Sequence, residues 1–173
     1  TTTVPKPVIA AVNGACAGIG MVQALMCDIR FAAKGAKFTT AFSRRGLIAE
    51  YGMSWILPRL VGTSRAMDLL FSGRVILAEE AAAMGLVNEV VEPEHLLDRT
   101  LEYAADIAVN ASPTSMSVMK RQVYADQLRG VAEASEDAIE LMKASLRRGD
   151  FKEGVASFLE KRPPQFAPLT AAD

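Results

Sequence analysis

A glycine-rich turn near the start of the chain has a composition suited to binding a small molecule. Residues 13–20 (NGACAGIG) lie between an apolar run at 8–12 and an apolar segment at 21–27 that predicts a helix. The first N–H groups of a helix have no intrahelical acceptor, and glycines let a ligand approach the backbone closely. The turn could hold a phosphate or polarise a carbonyl as an oxyanion hole. The spacing fits neither a dinucleotide fingerprint nor a P-loop, and small residues could also serve only a tight strand-to-helix connection.

Other catalytic arrangements are poorly supported by the residue types available. His95 is the only histidine, which excludes sites that need two histidines and weakens Ser-His-Asp and Cys-His interpretations. Cys16 and Cys27 cannot build a disulfide framework. Because both lie in apolar stretches, we predict that they are buried, reduced thiols of a cytoplasmic protein. These residues also predict that no metal site of the usual zinc type is present.

Composition limits the remaining function classes. The 173 residues are 50% hydrophobic and 23% charged, with a formal net charge of −1, which fits one folded domain and not a disordered chain. The near-neutral charge and single Trp argue against nucleic-acid binding. Residues 8–27 carry no charge, but Asn13, Gln23 and three glycines interrupt them, so a buried strand, turn and helix are favoured over a membrane span. The N-terminal residues have no signal-peptide pattern.

The pattern of elements predicts an α/β fold. Strands come first, mixed with short helices, and about four helices follow. The helix after Ser112-Pro113 has a good N-cap, Thr63-Ser64 would cap another, and Gly149 would end a third. Predicted strands cover 8–12, 29–33, 37–40 and 87–91, and predicted helices cover 65–71, 78–84, 97–108, 131–148 and 151–160. Since the first strand begins almost at residue 1 and reads as the middle of a sheet, we expect a segment N-terminal to this chain.

Several blocks in combination resemble the enoyl-CoA hydratase/isomerase (crotonase) family, over essentially the whole chain. The blocks are residues 6–14 (KPVIAAVNG), 17–20 (AGIG) with 27–28 (CD), 71–76 (FSGRVI) with 78–81 (AEEA) and 85–88 (GLVN), and 158–162 (FLEKR). The resemblance implies a crotonase-like ββα superhelix, as in the ClpP/crotonase fold, whose first third would precede residue 1. It implies that residues 1–92 hold the oxyanion-hole turn and active-site loop. Residues 93–173 would then supply helices for assembly and for completing the CoA site, in a homotrimer or a dimer of trimers.

The resemblance also assigns roles within the turn. The backbone amide of Ile19 would be one oxyanion-hole donor for an acyl-CoA thioester, with Ala17, Gly18 and Gly20 around it. The second donor would lie in the preceding segment. Family hydratases use two glutamates, and these positions align with residues 22 and 42, which are Val and Phe here. Ordinary two-glutamate hydration is therefore not expected.

One acidic residue near these positions, Glu50, remains as a candidate base. Residues 46–52 (GLIAEYG) resemble the loop of peroxisomal-type Δ3,Δ2-enoyl-CoA isomerases, and Glu50 takes the position of their glutamate. A lone base can remove a proton from C2 and return it at C4, which moves a double bond. Glutamates at helix starts are also common without any catalytic role. An enoyl-CoA hydratase or a non-catalytic acyl-CoA-binding protein therefore stays open as an alternative to the isomerase.

Three further assignments concern single side chains or pairs. Tyr51 could close the acyl pocket or simply pack. By the same resemblance Lys161 would reach the CoA phosphates of a neighbouring subunit, and it could otherwise be an ordinary cation at a helix end. Arg44-Arg45 could contact phosphate or form a solvated charged surface. No cofactor is expected beyond the coenzyme A carried by the substrate.

Overall fold

The structure is a computed structural model that describes residues 1–170, and its chain separates into two compact units. The first unit is Thr1 together with Val8–Leu101, and the second is Thr2–Pro7 together with the chain from Glu102 onward. The predicted division of roles between residues 1–92 and 93–173 stays a prediction, and residues 171–173 lie outside the described residues.

The first unit contains two three-stranded sheets and the short helices around them. One sheet has the order β1-β3-β6 and is parallel throughout, while the other has the order β2-β4-β5 with β5 antiparallel to β4. The strands are β1 Ile9–Val12, β2 Ala15–Ala17, β3 Ile29–Ala33, β4 Lys37–Thr39, β5 Ile76–Leu77 and β6 Glu89–Val91. The helices are α1 Ile19–Leu25, α2 Met53–Val61, α3 Thr63–Ser72 and α4 Ala78–Ala83, with 3₁₀ turns at Ser43–Arg45 and Pro93–His95. The predicted α/β organisation is confirmed.

The chain moves from one sheet to the other inside the glycine-rich turn. β1 pairs with β3, and after Asn13-Gly14 the next three residues pair with β4, placing Cys16 opposite Phe38. The pattern of the eight turn residues predicts no strand, so β2 is a difference between the sequence-based expectation and the structure. Because β2 runs directly into α1, sheet pairing fixes the start of that helix. α1 begins at Ile19, two residues earlier than the apolar pattern indicated.

Buried apolar side chains from α1, β4 and α2 form the core beneath this turn. Met21, Leu25, Phe38, Met53 and Leu57 are all at most 1% exposed. α1 is apolar on nearly every side, which is typical of a helix enclosed by its neighbours. The turn therefore rests on a rigid, closely packed base.

Arg30 is a buried cation that ties several backbone segments of the first unit together. It is 4% exposed, and its Nε donates to the Leu86 carbonyl at 2.7 Å while Nη1 donates to the Cys27 carbonyl at 2.6 Å. Its backbone N–H donates to Asn88 Oδ1 at 2.9 Å. A buried charge needs such partners, so this side chain joins the end of α1 to the loop before β6.

The second unit is helical. α5 Leu96–Asn110 runs into it from the first unit, and α6 Pro113–Asp126, α7 Val131–Ser145 and α8 Gly149–Glu160 follow. The predicted cap of α6 is confirmed, since Ser112 Oγ accepts a hydrogen bond from the Ser115 N–H at 3.0 Å. Two other predictions of helix ends are wrong. Gly149 begins α8 instead of ending α7, and Gly62, not Thr63-Ser64, is the N-cap of α3.

Candidate active site

A cleft of about 280 Å³ brings the two predicted chemical features together. One wall is the end of the glycine-rich turn, and the other is the segment that follows β4. The lining residues are Ala17, Gly18 and Ile19 from the turn, and Thr40, Ala41, Phe42, Arg45, Leu47 and Glu50 from the segment. Ile19 and Glu50, which are distant in sequence, thus line the same cleft because β2 and β4 are paired neighbours.

Gly18 shapes the turn wall of the cleft. Its backbone has φ 52° and ψ −120°, a combination that L side chains rarely adopt. Its N–H donates to the Thr39 carbonyl at 3.1 Å, and its carbonyl accepts from the Val22 N–H at 3.0 Å. Ile19 is the next residue and the first of α1, so its amide has no acceptor inside the helix. The Ile19 N–H, at the edge of the cleft, is therefore left without an intrahelical acceptor.

The opposite wall is held by side chains that donate to carbonyls at the end of α3. Carbonyls in the last turn of a helix lack intrahelical N–H partners, and the Leu69 carbonyl, which accepts from the Gly73 N–H at 3.1 Å, still has a second lone pair for an outside donor. Thr40 Oγ1 donates to Leu69 at 2.8 Å and Arg44 Nε donates to Ser72 at 2.6 Å. Thr39 Oγ1 and Ser43 Oγ make similar bonds to Gly73 and Phe71, each at 3.0 Å. This row of hydrogen bonds fixes the path of residues 39–44 along the cleft.

The two positions that the resemblance assigns to hydratase glutamates are apolar and buried. Val22 is 4% exposed and Phe42 is 5% exposed. Phe42 Cε1 lies 3.9 Å from the position that a β-carbon on Gly18 would occupy, so its ring packs against the turn. Neither side chain can transfer a proton or hold a water molecule by a hydrogen bond.

Glu50 emerges from a tight turn at the start of α2. Tyr51 and Gly52 both have left-handed backbones, with φ 50° and 82°, and the Met53 N–H donates to the Glu50 carbonyl at 2.9 Å. A left-handed conformation at a non-glycine residue costs roughly 1–2 kcal/mol, so surrounding contacts must enforce it. Glu50 is half-buried, and within residues 1–170 its carboxylate has no hydrogen-bond or ion-pair partner.

The structure separates the two neighbouring arginines. Arg44 turns to the end of α3, as described above, whereas Arg45 lines the cleft and donates from Nη1 to the Ala41 carbonyl at 3.1 Å. Two adjacent arginines in a sequence do not indicate which of their side chains lines a cleft. Only the 3₁₀ turn at Ser43–Arg45, which follows β4, assigns them to different sides.

Three residues with predicted roles do not line this cleft. Gly20 is the exposed second residue of α1, and Tyr51 is 68% exposed. Lys161 is exposed and left-handed, with φ 54°, at the end of α8 in the second unit. Their assignments to substrate or CoA stay predictions.

The cysteines and acids do not form a metal centre in the described residues. Burial raises the pKa of the Cys16 thiol to about 11, whereas Cys27 is only half-buried, so the prediction that both are buried is wrong for Cys27. Residues 1–170 contain no group of three or more His, Cys, Asp or Glu side chains placed to hold a metal ion. In that same part of the chain, no helix has the length and apolar character needed to cross a bilayer.

Comparisons with known proteins agree on one family. The family model described as "Enoyl-CoA hydratase/isomerase" matches residues 1–168. An enoyl-CoA hydratase of Alternaria alternata is 41% identical, over 93% of this chain and 54% of its own length. A 1,2-epoxyphenylacetyl-CoA isomerase of Escherichia coli is 39% identical, over 94% of this chain and 62% of its own length. The chain thus spans a little more than half the length of these relatives.

Solved structures give the same result. The crystal structure of a probable enoyl-CoA hydratase/isomerase from Mycobacterium abscessus has a TM-score of 0.94 at 35% identity, covering 97% of this chain and 68% of that one. An enoyl-CoA hydratase from Mycobacterium marinum has a TM-score of 0.69 at 66% identity, over 74% of this chain and 65% of that one.

Proposed function

The chain belongs to the enoyl-CoA hydratase/isomerase family and has its crotonase fold, and we propose that its cleft moves the double bond of an enoyl-CoA thioester. In this proposal the substrate is a 3-enoyl-CoA, the product is the 2-enoyl-CoA, and Glu50 carries the proton. Ala17 and Gly18 form the wall against which the thioester lies, and Gly20 begins the helix behind it. The observation that carries the proposal is a single unpaired carboxylate that lines the same cleft as Ile19, whose amide begins α1.

The proposed reaction has two proton transfers. The Glu50 carboxylate removes a proton from C2, and the electron pair moves onto the thioester oxygen to give a dienolate. The Ile19 N–H donates a hydrogen bond to that oxygen, whose negative charge is greatest in this intermediate. The protonated Glu50 then returns the proton at C4, and the double bond shifts to C2–C3. No oxidation state changes, so the reaction requires no redox cofactor.

Isomerisation fits the cleft better than water addition. A hydratase must position and deprotonate water, which requires polar groups beside the substrate double bond. The corresponding positions hold Val22 and Phe42, both buried, and the Phe42 ring covers the turn. Since neither side chain can hold a water molecule by a hydrogen bond, a dienolate formed beside them can be reprotonated without a competing addition.

Hydration is the second candidate, because relatives such as the one from Alternaria alternata carry the name enoyl-CoA hydratase. In that version Glu50 deprotonates water with help from a residue outside this chain. The two reactions differ in product, since hydration of a 2-enoyl-CoA gives a 3-hydroxyacyl-CoA and isomerisation gives none.

Turnover of matched substrates by the full natural polypeptide tests the proposal. We expect conversion of a 3-enoyl-CoA to the 2-enoyl-CoA, and a loss of about 10²–10⁴-fold in Glu50→Gln, the range of general acid–base groups. Glu94→Gln is a matched control, because it removes the same charge from an exposed 3₁₀ turn. A 3-hydroxyacyl-CoA product that depends on Glu50 would favour the hydratase. Binding of both substrates without turnover would indicate a non-catalytic acyl-CoA-binding protein.

Assembly is part of the same proposal. Apolar side chains are exposed on the helices of the second unit, with Val131 at 84% and Phe158 at 82%. Covering such surface between copies of the chain would stabilise a homotrimer or dimer of trimers, in which Lys161 reaches the CoA phosphates of a neighbouring subunit and Tyr51 closes the acyl pocket. Sedimentation equilibrium measures the number of copies directly.

A further inference from the structure

Arg45 places an unneutralised positive charge in the candidate active site. It lines the cleft with Glu50, and no salt bridge joins the two side chains. In the described part of the chain, its guanidinium makes a single hydrogen bond, to the Ala41 carbonyl. A guanidinium has five N–H donors, so most of them remain available to a ligand. Apart from Arg45 and Glu50, the lining residues are uncharged.

The backbone holds this arginine in place. Ala41 has φ 58°, and its N–H donates to Thr39 Oγ1 at 3.2 Å. Its carbonyl accepts the bond from Arg45 Nη1 at 3.1 Å, and the Arg45 N–H donates to the Phe42 carbonyl at 2.9 Å. The guanidinium of this exposed residue is therefore held at Nη1 beside the cleft. A pre-positioned donor loses less entropy when a ligand binds.

We propose that Arg45 selects substrates whose acyl group carries a carboxylate, an inference that rests on the proposed function and names its substrate class. A carboxylate can accept two parallel N–H bonds from a guanidinium. The positive charge of Arg45 also offsets the Glu50 charge, which would otherwise repel an anionic acyl group in the same cleft. A plain alkyl chain would bind less favourably beside Arg45, because it would displace water from the guanidinium without replacing its hydrogen bonds.

The position in the cleft favours the acyl group over the phosphates of CoA as the anion. Arg45 shares one small space with Glu50 and the Ile19 amide, which in the proposed function meet C2, C4 and the thioester oxygen. The CoA phosphates are separated from that thioester by the whole pantetheine arm. The anionic group that meets Arg45 therefore belongs to the acyl chain.

Equilibrium binding of two unreactive ligands to the full natural polypeptide tests the inference. Glutaryl-CoA and pentanoyl-CoA have the same chain length and differ in a terminal carboxylate. We expect Arg45→Met to weaken glutaryl-CoA binding on the order of tenfold, the low end for a charge-assisted contact because the cleft is open to solvent. Pentanoyl-CoA binding should be unchanged or tighter. Arg45→Lys should retain part of the preference, and Arg65→Met, which removes an exposed cation of α3 that does not line the cleft, should leave it intact.

Equal weakening of both ligands in Arg45→Met would overturn the inference, since it would mean a contact with CoA or a loss of the Ala41 anchor. Unchanged binding of both would overturn it as well. If Arg45→Met fails to fold, Arg45→Gln provides the same comparison with a donor retained. Neither ligand has a double bond, so this result does not depend on proton transfer by Glu50. Wild-type turnover by Glu50→Gln would refute the proposed function while the binding comparison still stands.

Discussion

Replacing Gly18 by alanine should show whether the turn conformation serves catalysis. The β-carbon itself would meet Phe42 Cε1 and the Thr40 carbonyl at 3.9 Å, which is ordinary van der Waals contact. The penalty is therefore conformational, because alanine must adopt φ 52° with ψ −120°. Residues held in such sparsely populated regions cost about 1–3 kcal/mol.

The protein can respond to this strain in two ways. If Gly18→Ala keeps the conformation, the thermal midpoint should fall by roughly 2–12 °C, since 1 kcal/mol corresponds to roughly 2–4 °C for chains of this size. If the backbone rotates instead, the Gly18–Ile19 peptide plane turns with it. The Ile19 N–H then no longer points in its original direction. The kcat should then fall by about 10²–10³-fold, as when one oxyanion-hole donor is lost.

The assay measures the thermal midpoint and kcat with a 3-enoyl-CoA for both Gly18→Ala and Gly14→Ala. Gly14 lies in the same turn without a left-handed φ, and a β-carbon there meets nothing within 4 Å, so its variant should resemble wild type. A Gly18→Ala protein with wild-type stability and activity would refute this reasoning. Equal damage in both variants would refute it too, because the effect would then not arise from the Gly18 dihedral angles.

Three further expectations concern other parts of the molecule. Lys161→Ala should raise KM and leave kcat nearly unchanged, because the CoA phosphates do not change during the reaction; an equal fall in kcat at constant KM contradicts this assignment. Arg30→Met should lower the free energy of unfolding measured in urea by about 1–3 kcal/mol for each buried carbonyl left without its donor, and an unshifted midpoint would argue against that network. Hydrogen bonds from the Arg162 side chain and the Gln165 backbone N–H lower the pKa of Glu153 from 4.5 to about 2. That carboxylate therefore stabilises the fold above pH 4.5, and the contribution disappears as the pH falls towards 2. Glu153→Gln should flatten this part of the pH profile of the thermal midpoint, and parallel profiles would show that the bonds do not matter.

Elements with a strong local pattern could be predicted from the sequence. The apolar run at 29–33 gave the bounds of β3, and the Ser112-Pro113 pair gave the start of α6. Elements that depend on distant partners could not. β2 has three small residues and forms only because β4 lies beside it, and the end of α7 is not marked by Gly149 because Arg148 takes the N-cap position of the next helix.

The candidate site was predicted in part for the same reason. The turn and Glu50 were each recognisable from local sequence and from the family resemblance. Their common cleft depends on the pairing of β2 with β4, and the inward direction of Arg45 depends on the 3₁₀ turn after β4. The sequence carries no local signal for either feature. The shared cleft requires a tertiary contact, and two adjacent arginines do not show which side chain lines it.

The most direct test of the account is the exchange of the C2 proton of a bound 3-enoyl-CoA with deuterium from the solvent. This measurement reports proton abstraction even when product release limits turnover. If Glu50 is the base, the wild-type protein should exchange that proton readily, and Glu50→Gln should exchange it about 10²–10⁴-fold more slowly while binding the ligand with similar affinity. Exchange by Glu50→Gln at the wild-type rate would contradict the central claim, because no other carboxylate of the described residues lines the cleft.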